Sequence, residues 1–588
     1  METLIVALCA VVVIAVATAI APRIRIAGPM ILVAIGIGVG LLPGVDVPEV
    51  DPEWILVGVL PPLLYAAAVK LPAVEFRRDF GPIAGLAFVL VVVSSLVLGG
   101  FFFLTIPGID PAIAIALGAI LSPTDAVATA IARRAGISRR VVTMLEGESL
   151  LNDATALVLL RTLIAAAATG AAAASVSAEE ATTTLGIGFL GAFVWGVIAA
   201  VVIGGFVGWA NLHLRSRVSH PAANTALAFV VPFIAYLPTE ALGGSGLVAA
   251  VVTGIVTGQG AARHFSPIQR RSDEATWGTV EVMLEGAVFL LMGLELKAIV
   301  DGNMSDERGL GLGLLLALGA FAILMVVRAG YVTFLVWLQG RRASSAQRKR
   351  LDALNAHLDD VMAHPERIAE KKSIDTERLQ RRVESMRRRI ARSLSDLDYY
   401  QATALGWKHG TVIVWAGMRG VVTLAAAQTL PRDLADRDLL IFIAFTVAVG
   451  SLAIQGLTLP WVVKMLKFPQ SENDDAAARD EQDSLDDELR AAAEDALASP
   501  QLRRRDGTAF PDEVRSLVVK RLRPPENDES SLQRRDMLEL RLVLIAAERR
   551  RLDDLSSGGA YSTEALRHAL AELDADQLSL ELRLEDAD

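Results

Sequence analysis

The sequence predicts an all-α polytopic membrane protein with about thirteen transmembrane helices, a helical cytoplasmic insert and a helical cytoplasmic tail. Its 588 residues are 53% hydrophobic and 21% charged, which is too apolar for a soluble protein of this length. Apolar runs of membrane-spanning length recur along the chain, and the net charge of −10 is concentrated in the polar stretch after Phe468. We therefore expect a lipid bilayer around most of the chain and no nucleic-acid partner.

The individual segments follow from the thickness of the bilayer. A hydrocarbon core about 30 Å thick requires about 20 apolar residues per helix. Cutting the chain where charges or Pro/Gly clusters interrupt such runs gives segments 3–21, 29–46, 54–72, 82–106, 111–134, 140–169, 184–209, 222–237, 243–259, 276–299, 309–339, 406–430 and 438–466. The first segment is predicted to be a spanning helix and not a signal peptide, because its basic residues follow the apolar run instead of preceding it.

Basic residues in the short loops predict the orientation, since Lys and Arg stay on the cytoplasmic side. Loops after the odd-numbered segments contain Arg23, Arg25, Arg77, Arg78, Arg133, Arg134, Arg139, Arg140, Arg215, Arg217, Arg263, Arg270 and Arg271. Among the loops after the even-numbered segments, 47–53, 107–110, 170–183 and 238–242 contain no Lys or Arg. Only Arg308, Arg432 and Arg437, further along the chain, depart from the alternation. The amino terminus is therefore predicted to lie outside and the carboxyl terminus inside a plasma (inner) membrane.

Two polar stretches divide the chain into four parts: helices 1–11 in 1–339, an insert in 340–404, helices 12–13 in 405–466 and a C-terminal domain in 467–588. In the insert, apolar residues recur at steps of three and four, which predicts a helical hairpin or coiled coil. This insert is either a dimer contact or regulatory arm, or a solvated helical pair. In the tail, 470–500 is expected to be a linker or loose helix, followed by helices from Leu532 to Leu555 and from Ser562 or Thr563 onward.

Segment five contains a proline among small polar residues at membrane depth, where charged side chains are costly and are therefore functional candidates. Pro123 follows Ser122 and precedes Thr124 and Asp125. Proline removes a backbone donor and disturbs the helix, so carbonyls become available to a cation beside the carboxylate. The alternative is a proline kink whose polar residues are satisfied by a neighbouring helix.

Segment six contains the densest polar cluster of any apolar segment, residues 146–155. Ser149 lies three residues before Asn152 and four before Asp153, so hydroxyl, amide and carboxylate share one helix face, and Glu148 stacks with Asn152. Sodium and other hard cations prefer oxygen ligands, whereas zinc would require the His or Cys that the cluster lacks. The cluster therefore predicts a small-cation site.

Segment twelve carries Arg419 within Gly417-Met418-Arg419-Gly420, too deep to reach the membrane surface easily. Such a charge requires an anionic partner. Glu148 is the first candidate, because a buried Glu148–Arg419 pair neutralises both charges and leaves Asp153 free for transport. Asp125 and Asp153 are the alternatives. Arg328, Glu285 and Glu295 are also embedded and could pair with each other, so we interpret them as structural residues.

Four motifs, in order along the chain, resemble those of monovalent cation/proton antiporters, in the bacterial-type sodium/proton exchanger branch. They are Leu60-Pro61-Pro62-Leu63-Leu64, Ser122-Pro123-Thr124-Asp125, the run from Gly147 to Ala154, and Gly417-Met418-Arg419-Gly420. The resemblance covers residues 5–466 without the 340–404 insert. It implies a transporter and not an enzyme, with no cofactor besides the transported sodium ion and proton.

The resemblance also implies a fold and a role for each motif residue. The implied fold has inverted repeats in segments 4–6 and 11–13, two broken helices that cross at the midplane, and a separate dimerisation domain, which makes a homodimer the expected assembly. The implied roles are Asp153 as the sodium-binding and proton-carrying carboxylate, Asn152 as its neighbour, Thr124 and Ser149 as auxiliary ligands, Asp125 as a support, and Glu148 with Arg419 as a structural ion pair. One departure is Ala66, which follows the Leu-Pro-Pro-Leu-Leu run where several relatives carry an acid.

The expected activity is electroneutral exchange of sodium, with lithium as a further candidate, for protons by alternating access. Because Asn152 replaces the second aspartate of the electrogenic pattern, one shared carboxylate carries either ion. A potassium/proton antiporter is the alternative within transport, since oxygen ligands do not fix the size of the cavity. A cation channel or a membrane sensor is the alternative from another class.

Overall fold

The computed structural model describes most of the chain as helix. The described residues are 2–24, 27–42, 53–172, 178–304, 309–342, 403–432, 434, 436–468, 472–499, 501–504, 507–521 and 531–585, with scattered positions between 385 and 400. Across these residues the only extended pairing is an isolated bridge between Arg503 and Ala509. The all-α polytopic prediction is confirmed.

Helices α1 to α17 overlap every predicted membrane segment within the described residues. In the first part of the chain they are α1 Glu2–Ile24, α2 Gly28–Gly40, α3 Trp54–Lys70, α4 Ala73–Arg78, α5 Phe80–Thr105, α6 Pro111–Leu121, α7 Val127–Arg134 and α8 Arg139–Ala172. They continue with α9 Ala178–Arg215, α10 Pro221–Ala241, α11 Gly246–His264, α12 Pro267–Leu294, α13 Leu296–Met304, α14 Gly309–Arg342, α15 Trp407–Trp415, α16 Val421–Gln428 and α17 Arg437–Leu466. Six described helices are long and apolar enough to cross a membrane, and four shorter ones are apolar.

Segments five and twelve are each broken into two half-helices, as predicted. Segment five is divided into α6 and α7 around Pro123, and segment twelve into α15 and α16 around residues 417–420. Proline lacks the amide donor that would continue the helix and disfavours helical geometry in the residue before it. At Gly417, an added Cβ would lie 2.6 Å from Arg328 Nε, so the close approach of Arg328 to the second break leaves no room for a side chain at this position.

The chain separates into two compact units. The first comprises Met1–Ala261, Ser272–Gly340 and Leu405–Pro469, which is the predicted membrane part without one short loop. Its core is a continuous cluster of buried aliphatic side chains that extends from α1 to α17. The half-helices α6 and α16 lie within this cluster, where Leu117 and Ala427 are fully buried.

Two of the arginines used to predict the orientation are buried inside this first unit. Arg140 donates to Asp79 at 2.7 Å and to Gln339 Oε1 at 2.8 Å, and Arg215 donates to Asp273 at 2.7 Å. These side chains lie at helix ends and turn inward to a carboxylate instead of extending into water. Their position at the predicted cytoplasmic ends remains compatible with the charge pattern.

The second unit comprises Ala262–Arg271, Arg341–Ala404 and Gln470–Asp588. Its helices are α18 Glu472–Ala498, α19 Asp512–Arg521, α20 Ser531–Gly558 and α21 Thr563–Glu585. Residues 472–498 therefore form one helix, and α19 was not predicted. The amide of Ala565 binds Ser562 Oγ at 3.3 Å, so Ser562 begins the last helix, as one of the two predicted caps.

Most of the 340–404 insert lies outside the described residues, so its predicted hairpin stays a prediction. Among the apolar residues that recur along the insert, Ile390 and Leu397 are described and buried.

Ion pairs connect the segment 262–271 to other parts of the second unit. Arg270 and Arg549 both pair with Asp574, and Arg263 pairs with Asp553. The segment 262–271, which contains the end of α11 and the start of α12, thus forms ion pairs with α20 and α21.

Candidate functional site

The two broken helices cross and bind each other through their breaks. The amide of Asp125, just after Pro123, donates to the carbonyl of Met418 at 2.8 Å. In the other direction, Arg419 Nε donates to the carbonyl of Leu121 at 2.9 Å. Because a half-helix ends with unpaired carbonyls, these contacts satisfy groups that lipid could not satisfy.

Arg419 interacts with backbone carbonyls and not with a carboxylate. Its side chain donates to Leu121 O, at the end of α6, and to Gly417 O, just after α15, and its amide donates to Ser451 Oγ at 2.9 Å. The C-terminal end of a helix carries partial negative charge, so one guanidinium stabilises the ends of both half-helices. The predicted ion pair between Arg419 and Glu148 is wrong.

The carboxylate of Glu148 pairs with Arg328 of α14. Arg328 Nη2 donates to Glu148 Oε2 at 2.8 Å, Nη1 donates to Oε1, and Nε donates to Ile413 O at 3.0 Å. Both side chains are almost fully buried. This bidentate geometry fits the fork of a guanidinium, which explains why arginine occupies the position. Arg328 therefore pairs with Glu148, and the interpretation that Arg328 pairs with Glu285 or Glu295 is wrong.

A chain of hydrogen bonds leads from this ion pair to Asn152. The hydroxyl of Thr124 donates to Glu148 Oε1 at 3.3 Å, and Asn152 Nδ2 donates to Thr124 Oγ1 at 2.7 Å. The amide and hydroxyl thus connect the middle of α8 to the break between α6 and α7. Asn152 Oδ1 is buried and has no hydrogen-bond partner among the described residues. A buried oxygen without a donor is available to a cation or a water molecule.

Asp153 and Ser149 lie one turn apart on α8 and are both buried, at 9% and 7% exposure. Neither side chain has a hydrogen bond or an ion pair within the described parts of the chain. Asp125 is the electrostatic neighbour of Asp153, and its Oδ1 accepts from the amide of Val127 at 3.1 Å, near the start of α7. The structure therefore brings the predicted site residues together and leaves the carboxylate of Asp153 unpaired.

Gly420 lies against the Asp125 carboxylate, and an added Cβ would overlap it. We expect Gly420→Ala to displace Asp125 from the crossing and to destabilise the protein by about 1–3 kcal/mol, the usual cost of overpacking. Melting temperature in detergent and exchange rate in proteoliposomes test this. The matched control is Gly450→Ala on α17, where the new methyl group meets nothing within 4 Å. Equal effects of the two substitutions would contradict the prediction.

Ala66, the position where an acid was expected in relatives, is fully buried against Ala228, Val231 and Trp277. This places it in a small apolar cluster between α3, α10 and α12.

The main residue whose role the sequence did not predict is Arg328, the partner of Glu148. Arg328 is an isolated charge in the middle of an apolar helix, and that signal marked both Arg328 and Arg419 without distinguishing them.

Comparisons with known proteins identify a family for this chain. A family model described as the transmembrane region of sodium/hydrogen exchangers matches residues 10–358 and 385–465. An uncharacterised sodium/proton exchanger of Escherichia coli (strain K12), YjcE, is 29% identical over 551 residues, covering 90% of this chain and 89% of that protein. The sodium/proton antiporter ApNhaP of Aphanothece halophytica is 26% identical over 421 residues, covering 71% of this chain and 66% of that protein.

A solved structure shares the fold. The sodium proton antiporter MjNhaP1 from Methanocaldococcus jannaschii superposes with a TM-score of 0.54 at 14% sequence identity. The match covers 80% of this chain and 100% of that chain. At this level of identity the likeness concerns the architecture of the helices.

Proposed function

This chain belongs to the sodium/hydrogen exchanger family, and from that premise we propose that it exchanges sodium for protons by alternating access, with Asp153 carrying either ion. The family consists of membrane transporters and not of enzymes. The unpaired carboxylate of Asp153 beside the crossed half-helices is the observation that supports the proposal most directly. Support also comes from the name of ApNhaP, a sodium/proton antiporter similar over most of this chain.

The surroundings of Asp153 fit a dehydrated alkali cation. Oxygen atoms are the preferred ligands of hard cations, and Asp153, Ser149, Asn152 Oδ1 and Thr124 Oγ1 supply carboxylate, hydroxyl and amide oxygens. An unpaired carboxylate away from water is stabilised by a bound cation or by a proton. Because one carboxylate serves both ions, each displaces the other.

The ion pair between Glu148 and Arg328 carries no net charge and holds Thr124 in place, so it supports the site without taking up an ion. Arg419 has a matching role, because it stabilises the two half-helix ends. In this proposal Asp125 positions the start of α7 and adds negative potential near Asp153. Asp125 is engaged by the amide of Val127, whereas Asp153 has no hydrogen bond in the described part of the chain, and this difference favours Asp153 as the carboxylate that exchanges one cation for one proton.

We expect proteoliposomes containing the protein to acidify or alkalinise when a sodium gradient is imposed, at a rate that does not change when the membrane potential is clamped. Exchange of one charge for one charge moves no net current. A pH-sensitive dye reports the flux, with lithium and potassium tested in turn. A rate that follows the potential would contradict electroneutrality, and current without proton counterflow would indicate a cation channel. Preference for potassium would favour the potassium/proton alternative.

The proposal includes a homodimer in the plasma membrane, with the amino terminus outside and the carboxyl terminus in the cytoplasm. The orientation is supported by the alternation of basic loops, which places Arg77, Arg78, Arg133 and Arg134 on the same side. Regulation of pH is the physiological role that such an exchange would serve.

A further inference from the structure

Helix α12 carries two glutamates on one face, and a third directly follows the helix. Glu281 and Glu285 are one turn apart on α12, and Glu295 comes after its last residue, Leu294. The amide of Glu295 still binds the carbonyl of Leu291 at 3.0 Å, so helical spacing places all three glutamates on one side together with Val288. Val288 packs with Ile55 of α3 and Ala425 of α16. This face of α12 is therefore directed at α3 and at the second half of the broken helix.

Two of the three glutamates have protein partners. Glu281 pairs with Lys70 at the end of α3. Glu295 accepts a hydrogen bond from Gln428 Nε2, at the end of α16, at 2.5 Å. These contacts occupy the two ends of the acidic face and tie it to α3 and α16.

Glu285, between them, has no hydrogen bond and no ion pair within the described ranges of the chain. Its electrostatic neighbours are Asp125, Glu281 and Lys70. Lys70 is already paired with Glu281. Val421, which packs against the cluster of Val288 and Ala425, directly follows Gly420, and Gly420 lies against the Asp125 carboxylate. Glu285 is therefore on the side of α12 that is directed at the crossing and has no paired cation of its own, an arrangement that a bound cation or a proton stabilises.

Asp125 connects Glu285 to the proposed transport site, because it is also the electrostatic neighbour of Asp153. Glu285, Asp125 and Asp153 thus follow one another from α12 to α8 as three carboxylates, none of which has an ion-pair partner in the described structure. Carboxylates of one sign next to apolar groups raise the local concentration of counter-ions. Val288 and Ala425 are apolar groups on the side of α12 that carries Glu285.

We propose that Glu285 recruits the alkali cation, binding it transiently on its way to Asp153 from the side of the Lys70–Glu281 pair. The inference rests on the proposed function and deepens it, because it adds an entry residue to the transport site. Glu285 acts on the ion before the exchange step. Its loss therefore weakens cation uptake and leaves the exchange step intact.

The test compares Glu285→Gln with Glu295→Gln in proteoliposomes of the full chain. Glutamine at 285 keeps the size and removes the charge, so the KM for sodium is expected to rise about tenfold while the maximal rate is retained. Glu295 is the matched control, since it lies on the same face with a hydrogen-bonded partner, and glutamine preserves an acceptor for Gln428. For this variant KM is expected to stay within about twofold of the unchanged protein.

Two results would overturn the role of Glu285. One is a Glu285→Gln variant in which both the KM for sodium and the maximal rate are unchanged. The other is a variant that loses maximal rate while its KM for sodium is unchanged, which would indicate a structural role or a role in the transport step. Glu285→Asp, which keeps the charge, is expected to restore most of the affinity. Failure of the proposed function is recognised separately, because the unchanged protein would then show no exchange.

A second measurement does not depend on turnover. The sodium concentration that half-maximally raises the melting temperature, with choline chloride as the ionic-strength control, is expected to increase about tenfold in Glu285→Gln. An unchanged midpoint would overturn the proposal even if no exchange were observed.

Discussion

Replacing Asp153 with asparagine is expected to abolish sodium-driven proton exchange and to reduce the flux to that of empty proteoliposomes. Asparagine keeps the size and one side-chain oxygen, but it neither takes up a proton at neutral pH nor balances the charge of a dehydrated cation. Asp153 has no hydrogen bond or ion pair within the described residues, so the substitution removes a charge without breaking a structural contact. The variant should therefore fold and insert normally.

The flux of Asp153→Asn is measured with the pH-sensitive dye under an imposed sodium gradient. Asp110→Asn is the matched control, because Asp110 caps α6 by accepting from the amide of Ala112 at 2.8 Å and asparagine caps helices equally well. Its exchange is expected to equal that of the unchanged protein. Sodium-dependent exchange that survives in Asp153→Asn would remove Asp153 from the mechanism.

Replacing Glu148 with glutamine is expected to destabilise the protein by about 3–5 kcal/mol, since it leaves the guanidinium of Arg328 buried without a counter-charge. The same change weakens the acceptor for Thr124, which in turn holds Asn152. Loss of folded protein and of exchange should occur together. The melting temperature and the yield of monodisperse protein in detergent measure the effect.

A double-mutant cycle identifies the partner of Glu148. Combining Glu148→Gln with Arg328→Gln removes both buried charges, so the double variant is expected to recover much of the stability lost by either single variant. Combining Glu148→Gln with Arg419→Gln should give nearly additive losses, because Arg419 donates to carbonyls. Coupling to Arg419 that exceeds coupling to Arg328 would reverse the assignment.

The sequence predicted the parts of the site that depend on local properties. Pro123 marks the break between α6 and α7 because its missing amide acts within its own helix. Ser149, Asn152 and Asp153 were expected on one face because helical periodicity fixes that relation without reference to any other helix. The thirteen segments were likewise found from the length of the apolar runs and from the charges and Pro/Gly clusters that interrupt them, and the structure has helices in all of them.

The partners of the embedded charges were decided only by the tertiary structure. Arg328 and Arg419 are both isolated arginines in apolar segments, so their local sequences do not show which one neutralises Glu148. Arg328 lies 180 positions from Glu148 in the chain and reaches it because α14 packs beside α8. Arg419 instead reaches Leu121, 298 positions away, because the two broken helices cross there.

By itself, then, the sequence determined a helical membrane protein with two interrupted helices and an Asn152-Asp153 pair at membrane depth. Hydropathy, proline and helical periodicity act over a few residues, so they can be read without the fold. Tertiary packing decided that Glu148 is neutralised by Arg328, that Arg419 stabilises helix ends, and that Glu285 and Asp153 remain unpaired within the described structure. The physical reason is that a buried charge is satisfied by whichever group packing brings within hydrogen-bonding distance.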